Sequence, residues 1–251
     1  MPRFRILALG GLLLLMTGCI WLRLLDLKNQ FAEFDRYITV IPGDGIELRF
    51  KEPVLLADDL DTLLRGQPTA ALPLLDDGEV RVYAFAHIPS ILGPDPIGSE
   101  GALTILAVLR HDRLESITLP KEVFRVVPRD LALRALRAFG QAKVDTSNRS
   151  AQVQVDAVAG TIPERQAIIG LFGNPNKIDP LLGKLGTPIQ ERLVWRYVLQ
   201  GQPPEIPPVQ AAIAFVFPGN SAIPNQFQAI IGGMWLRLDL SVVTAPPAEK
   251  K

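Results

Sequence analysis

The sequence predicts an α+β fold of two tandem units, each a short helix on an antiparallel sheet of three to four strands, with a helical insert between them. Apolar and polar residues alternate over residues 46–50 and again over residues 153–157, which is typical of half-buried strands. A short apolar helix follows each strand and ends in the sequence Gly-x-Pro, which begins at Gly66 in the first unit and at Gly173 in the second. Glycine accepts the left-handed conformation after a helix and proline prevents its continuation, so both positions predict a helix end.

Three further strands are expected after each helix. They lie near residues 82–85, 103–109 and 114–119 in the first unit and near residues 194–197, 211–217 and 227–231 in the second. One more alternating strand is predicted over residues 234–243. These elements divide the chain into a first unit at residues 45–119, a helical connector at 120–150, a second unit at 151–243 and a disordered tail at 244–251.

Composition and charge exclude several classes of function. The 251 residues are 48% hydrophobic, which is enough to fill a core, and 26 basic residues balance 26 acidic ones. A chain without net charge lacks the broad attraction to phosphates on which non-specific binding depends, so no nucleic-acid partner is expected. One cysteine cannot form an internal disulfide and two histidines leave few metal ligands, so we expect neither a metal nor a cofactor.

The N-terminus has the form of an export signal. Arg3 and Arg5 precede an apolar run over residues 6–16, and the run is followed by Thr-Gly-Cys, in which Cys19 is the only thiol of the chain. Basic residues before an apolar segment that ends in small residues are typical of secreted proteins. The rest of the chain is therefore expected outside the cytoplasm.

This ending resembles the lipobox of bacterial lipoproteins. The resemblance implies that a peptidase removes residues 1–18 and that Cys19 is acylated, so that its acyl chains anchor the protein in a membrane. Because Ile20 rather than aspartate follows the cysteine, it also implies the periplasmic face of the outer membrane. The sequence departs from the pattern at Met16, where lipoboxes prefer leucine. The alternative is an uncleaved inner-membrane helix over residues 6–22.

A helical stem is predicted after the cysteine, within residues 19–44. Residues 21–37 place apolar side chains, including Leu24 and Leu27, at helical spacing. Such a helix either packs on the globular part or lies on the lipid surface with Trp21 at the interface. Its polar face carries both signs of charge, which favours packing.

The second unit resembles the BamE/SmpA family of small outer-membrane lipoproteins. The matching residues are Thr161 and Glu164 at the helix start, the helix end at residues 171–175 and the strand at residues 194–197. In that family a helix precedes an antiparallel three-stranded sheet and the protein supports the assembly of outer-membrane barrels, so the resemblance implies an envelope protein as partner. The chain departs from the family by being doubled and by having a strand before each helix. Two joined units are also similar in architecture to the β-lactamase inhibitor protein, whose sheet clamps an enzyme.

Two groups of side chains are candidates for contact with a partner. Four aromatic residues share one face of their predicted strands and form either core or an exposed partner surface: Tyr83, Phe85, Trp195 and Tyr197. Three arginines of the connector form either a solvated helix face or a contact for anionic lipid or glycan: Arg129, Arg134 and Arg137.

No set of residues predicts catalysis. His87 and His111 have no nucleophile at a catalytic spacing, and the sequence contains no Gly-x-Ser-x-Gly. The acidic cluster of Asp58, Asp59 and Asp61 is explained by a helix start, where carboxylates accept hydrogen bonds from free amides. We therefore expect a lipid-anchored periplasmic scaffold or binding lipoprotein with a role in outer-membrane assembly, and not an enzyme. The alternatives are an inhibitor-like protein-binding clamp and a periplasmic hydrolase or accessory enzyme with a dispersed site.

Overall fold

The computed structural model describes residues 20–96, 101–158, 160–182, 188–202 and 205–243. Within these ranges the protein is an α+β fold with five helices and one large mixed sheet of 13 strands, so the α+β part of the predicted fold is confirmed. The predicted signal peptide, Cys19 and the predicted tail lie outside the described residues.

Two of the five helices precede the first strand, and the other three stand between strands along the chain. They are α1, which is described over residues 20–32, Phe34–Tyr37 (α2), Ala57–Leu64 (α3), Arg129–Ala138 (α4) and Arg165–Phe172 (α5). Short 3₁₀ helices at Lys121–Arg125 and Phe139–Gln141 flank α4, which lies in the segment predicted as a helical connector.

The two helices that were predicted to end in Gly-x-Pro end in different ways. Helix α5 ends as predicted, because Gly173 takes a φ of 79° and its N–H donates to the Ile169 carbonyl over 2.9 Å. Helix α3 also ends just before its Gly-x-Pro, but the residue in the left-handed conformation is Arg65, with a φ of 54°. The prediction that Gly66 takes this conformation is therefore wrong. A Cβ at Gly66 would lie 2.4 Å from Cγ2 of Val209, so close packing is what requires glycine there.

The strands contain nearly half of the described residues. They are Ile38–Pro42 (β1), Ile46–Phe50 (β2), Ala70–Leu74 (β3), Gly78–His87 (β4), Ala102–Arg110 (β5), Arg113–Leu119 (β6), Lys143–Asp145 (β7), Ser150–Val158 (β8), Lys177–Leu182 (β9), Pro188–Leu199 (β10), Val209–Pro218 (β11), Gln226–Ile231 (β12) and Met234–Val243 (β13). Their order in the sheet is β1-β2-β6-β5-β4-β10-β11-β12-β13-β8-β7, with β3 also paired to β4 and β9 to β10. Every pair is antiparallel except β13 with β8.

The elements of the two predicted units share this one sheet, so separate tandem units are not evident. The junction is the antiparallel pairing of the ends of β4 and β10, where His87 lies opposite Tyr197 and Phe85 opposite Leu199. These ends extend past β3 and β9, which pair with the earlier parts of the same two strands. An unpaired edge offers free backbone donors and acceptors, and pairing the two ends with each other satisfies them.

Helix α4 contacts both ends of the strand order. At one end Arg129 donates to the carbonyl oxygens of Asp44, over 2.8 Å, and of Gly45, over 3.3 Å, in the turn between β1 and β2. At the other end α4 packs on β8, where Leu131 is buried together with Val153. The sheet therefore curves far enough for one helix to join its first strands to its last ones.

Candidate functional site

An apolar cavity of about 420 Å³ lies between the sheet, α4 and the 3₁₀ helix before α4. Its sheet wall consists of side chains from seven neighbouring strands, which are β6, β5, β4, β10, β11, β12 and β13 in sheet order. Every residue of the lining has an apolar or aromatic side chain, and no charged side chain takes part. Cavities of this size and composition are typical of small-molecule sites in proteins.

The sheet wall is apolar because alternate residues of its strands face the same way. On β12, Phe227 lies opposite Leu238 of β13, and Ala229 lies opposite Leu236. Ala229 also lies opposite Ile213 of β11, so a small side chain stands between two large ones. Alanine at this position leaves space that a larger residue would fill.

The helical wall comes from one face of α4 and its flanking 3₁₀ helices. Ala132, Ala135, Leu136 and Phe139 are spaced by three and four residues and line the cavity. Leu136 and Phe139 are only half-buried, as are Phe227 and Leu238 on the sheet wall. Large apolar side chains on both walls therefore retain exposed surface around the cavity.

A pair of buried polar groups lies at the β4–β10 junction, beside this cavity. Tyr197 lines the cavity, and its ring centroid is 5.4 Å from that of His87. His87 Nδ1 lies 3.5 Å from Asp95 Oδ2, while His87 Nε2 and the Tyr197 hydroxyl find no hydrogen-bond partner among the described residues. Burial, together with the nearby charge of Asp95, raises the pKa of Tyr197 above its ordinary value, so the hydroxyl stays protonated.

The four aromatic residues considered as a partner surface are core residues. Tyr83, Phe85, Trp195 and Tyr197 are each at most 4% exposed, and the Trp195 indole N–H donates to the Gly173 carbonyl over 2.9 Å. The face that carries them meets the helices, which bury it. They therefore do not form an exposed surface, although Phe85 and Tyr197 contribute to the cavity wall.

The three arginines considered as an anionic contact do not form one site. Arg129 donates to the β1–β2 turn, and Arg137 pairs with Asp35 over 2.9 Å. Arg134 is exposed. Two of the three guanidinium groups thus bind the protein itself, and their contacts hold α4 in place over the cavity.

The remaining candidate groups lie apart from one another. His87 and His111 stand at opposite ends of β4, which at ~3.3 Å per residue separates them by roughly 30 Å. Asp59 accepts the backbone N–H of Leu56 at the start of α3, over 2.8 Å, as expected for a helix start, and Asp61 pairs with Arg81 over 3.0 Å. Within the described residues, no group of three or more histidine, cysteine, aspartate or glutamate side chains is arranged to hold a metal ion.

The membrane segment predicted from the sequence falls largely outside the described part of the chain. No helix in that part has the length and hydropathy needed to cross a bilayer. Among known proteins, no family model matches the sequence, no curated protein matches it, and no solved structure matches it. The lipobox and the BamE/SmpA resemblance therefore stay predictions.

Sequence reasoning missed the cavity itself. Two signals were present: apolar residues of the connector at helical spacing, and alanines such as Ala229 within otherwise large apolar strands. Either pattern alone is ordinary in a protein core. The cavity depends on where α4 lies over the curved sheet, which neither pattern predicts.

Proposed function

We propose that the protein is a lipid-anchored binding protein of the bacterial envelope, and that its ligand is a linear apolar chain such as the acyl chain of a lipid. Anchoring through Cys19 and a periplasmic position on the outer membrane rest on the lipobox resemblance. The ligand rests on the cavity between the sheet and α4. A role in outer-membrane assembly, with an envelope protein as partner, is the setting that the BamE/SmpA resemblance implies.

The shape of the cavity supports a linear ligand. Seven neighbouring strands contribute to its wall, and six steps of ~4.8 Å between strands correspond to about 29 Å along the sheet. Because the sheet curves, this is the length of the wall and not the length of a straight channel. A flexible chain that fills about 420 Å³ can bend along the curved wall, whereas a rigid ring system of the same volume cannot.

The chemistry of the wall supports an acyl chain. Burying one methylene group contributes about 0.8 kcal/mol, so a chain of about fourteen methylenes contributes roughly 11 kcal/mol. Association costs of about 4 kcal/mol or more reduce this to an affinity in the micromolar range. A wall without charged groups adds no desolvation penalty of its own.

Binding is favoured over catalysis by the positions of the polar groups. His87 and His111 stand at opposite ends of β4, and the contacts described for His87 are with Asp95 and Tyr197 and not with a serine, threonine or cysteine. A hydrolytic site requires a nucleophile and a base within hydrogen-bond reach of each other. The arrangement of the histidines does not supply such a pair.

We also propose that the two halves of the sheet are related units that have fused into one. The order of strand, helix and four following strands occurs from β2 to β6 and again from β8 to β12. The cavity wall includes strands from both halves. The ligand site would accordingly exist only where the halves are joined, so a single unit would lack part of the cavity wall.

The proposal is tested by filling the cavity. The purified full chain is titrated with a fluorescent fatty acid, and lipids that copurify with it are identified by mass spectrometry. We expect Ala229→Phe to weaken binding at least tenfold, since about 1.4 kcal/mol of lost contact is sufficient. The matched control is Gln228→Phe on the same strand, which does not line the cavity, and we expect it to bind within twofold of the parent. Equal affinity of the two variants, or no binding by the parent, would refute the proposal.

A further inference from the structure

Helix α1 has two apolar faces, and only one of them is packed against the protein. Leu24, Leu27 and Phe31 contact the main core. On another side of the helix, Trp21 is 44% exposed, Leu22 63% and Leu25 52%, although all three are large and apolar. We refer to Trp21, Leu22 and Leu25 as the exposed α1 face.

The exposed α1 face is held rigidly with respect to the rest of the protein. Arg23 donates twice to the buried carboxylate of Asp59 in α3, over 2.6 Å each time. Two turns further along α1, Gln30 is 5% exposed and donates to the Glu52 carbonyl over 2.6 Å. A helix fixed at these two positions presents its exposed side chains in one direction.

The chain next to this face points to what covers it. Residue 20 directly follows Cys19, and the apolar run of residues 6–16 ends a few residues before it. If the run is removed and Cys19 acylated, or if the run is retained in a bilayer, acyl chains would lie next to residue 20, where the described part of α1 begins. At 1.5 Å per residue, Leu25 is only about 8 Å along the helix from Ile20, the first described residue, which is comparable to the ~5–10 Å depth of the headgroup region.

We propose that the exposed α1 face lies in the headgroup region of a phospholipid bilayer and sets the orientation of the globular part on the membrane. This inference rests on the membrane attachment in the proposed function but is independent of the ligand cavity. The anchor supplies the affinity, because three side chains alone bind a bilayer weakly. The face supplies the orientation: tryptophan prefers the interface, and Leu22 and Leu25 enter the apolar boundary.

Charge around the face indicates that the contact is apolar and not electrostatic. Arg23 is engaged with Asp59, and the two charges that remain beside the face, Asp26 and Lys28, are of opposite sign. An anionic surface is therefore not required, and the contact is expected to form on zwitterionic lipid and to persist at high salt.

The test uses photo-crosslinking in phosphatidylcholine vesicles that contain the purified full chain. One variant carries Leu25→p-benzoylphenylalanine, which replaces a side chain that is already exposed and so is compatible with folding. The matched control carries the same group at Ile223, an exposed residue between β11 and β12. Because β4 and β10 are antiparallel, that turn lies at the end of the sheet opposite the start of α3, where Arg23 is bound.

The masses of the adducts decide the outcome. We expect a phospholipid adduct at position 25 that is at least fivefold more abundant than at position 223 and is unchanged at high salt. An adduct of position 25 with a second copy of this chain, equal lipid adducts at both positions, or no adduct at position 25 would overturn the inference. The mass of the N-terminal peptide reports separately whether Cys19 is acylated or residues 6–16 are retained, so a failure of the predicted anchor is distinguished from a failure of this contact.

Discussion

Replacing the carboxylate of Asp59 is expected to release the N-terminal end of α1 from the globular part. Asp59 is 3% exposed, and its two oxygens accept two hydrogen bonds from Arg23 and one from the Leu56 amide. In Asp59→Asn the side chain keeps its shape and one oxygen for Leu56. The charge opposite Arg23 is lost, and an amide group is left beside the guanidinium.

The magnitude follows from the burial of the two partners. Removing one member of a buried ion pair costs about 3–5 kcal/mol. Arg23 is 25% exposed, so water partly compensates its charge, and we expect Asp59→Asn to cost about 3 kcal/mol. In a double-mutant cycle with Arg23→Ala, the coupling free energy should be about 2 kcal/mol, because two charge-assisted hydrogen bonds join the same two residues.

The assay is urea unfolding of the full chain in detergent, for the parent, both single variants and the double variant. Burial alone would raise the pKa of Asp59, but the hydrogen bonds from Arg23 and Leu56 hold the pKa below its ordinary value. The folded state therefore binds this proton less readily than the unfolded state. The contribution to stability is complete above about pH 4 and declines as the pH falls through the lower pKa of the folded state. A coupling free energy below about 0.5 kcal/mol at pH 7 would refute the reasoning, because residues that are far apart and do not interact also give coupling free energies of up to about that size.

Two further substitutions probe the packing of α1 and the polar pair beside the cavity. A Cβ at Gly140 would lie 2.2 Å from the Cα of Ala32, so Gly140→Ala should lower the melting temperature by several degrees. The control is Gly43→Ala, because a Cβ at Gly43 has no atom within 4 Å and should leave the melting temperature unchanged. Equal melting temperatures of the two variants would contradict the close packing at Gly140. Tyr197→Phe removes a buried hydroxyl that has no hydrogen-bond partner among the described residues, so the free energy of unfolding should stay the same or rise by up to about 1 kcal/mol. A loss of more than that in urea unfolding would mean that the hydroxyl has a stabilising partner.

Strands with regular alternation were predictable, and two strands with a proline in their interior were not. Strand β2 and the strands from β10 to β13 follow the apolar pattern that predicted them. Strands β3 and β9 were missed, since Pro73 and Pro180 lie inside them and proline is usually a sign of a loop. Both are edge strands, because β3 pairs only with β4 and β9 only with β10. The unpaired side of an edge strand needs no N–H donor, so proline is tolerated there.

The candidate site was less predictable than the strands. The sequence allowed two interpretations of the four aromatic residues, as core or as an exposed partner surface. They are core residues because the helices lie over the face that carries them, which the sequence does not predict. Arg129 and Arg137 illustrate the same limit. Both looked free on a helix face, but their partners lie far away in the sequence, in the β1–β2 turn and at Asp35.

The sequence by itself determined the α+β class and most of the helices and strands, because alternation and helical spacing depend only on neighbouring residues. The tertiary structure alone decided that β4 and β10 pair end to end in one sheet, that β8 lies parallel to β13, and that α4 spans the curved sheet over an apolar cavity. These features arise between surfaces distant in the chain, where several edges and faces satisfy the same local pattern and only the packing of the whole chain selects among them.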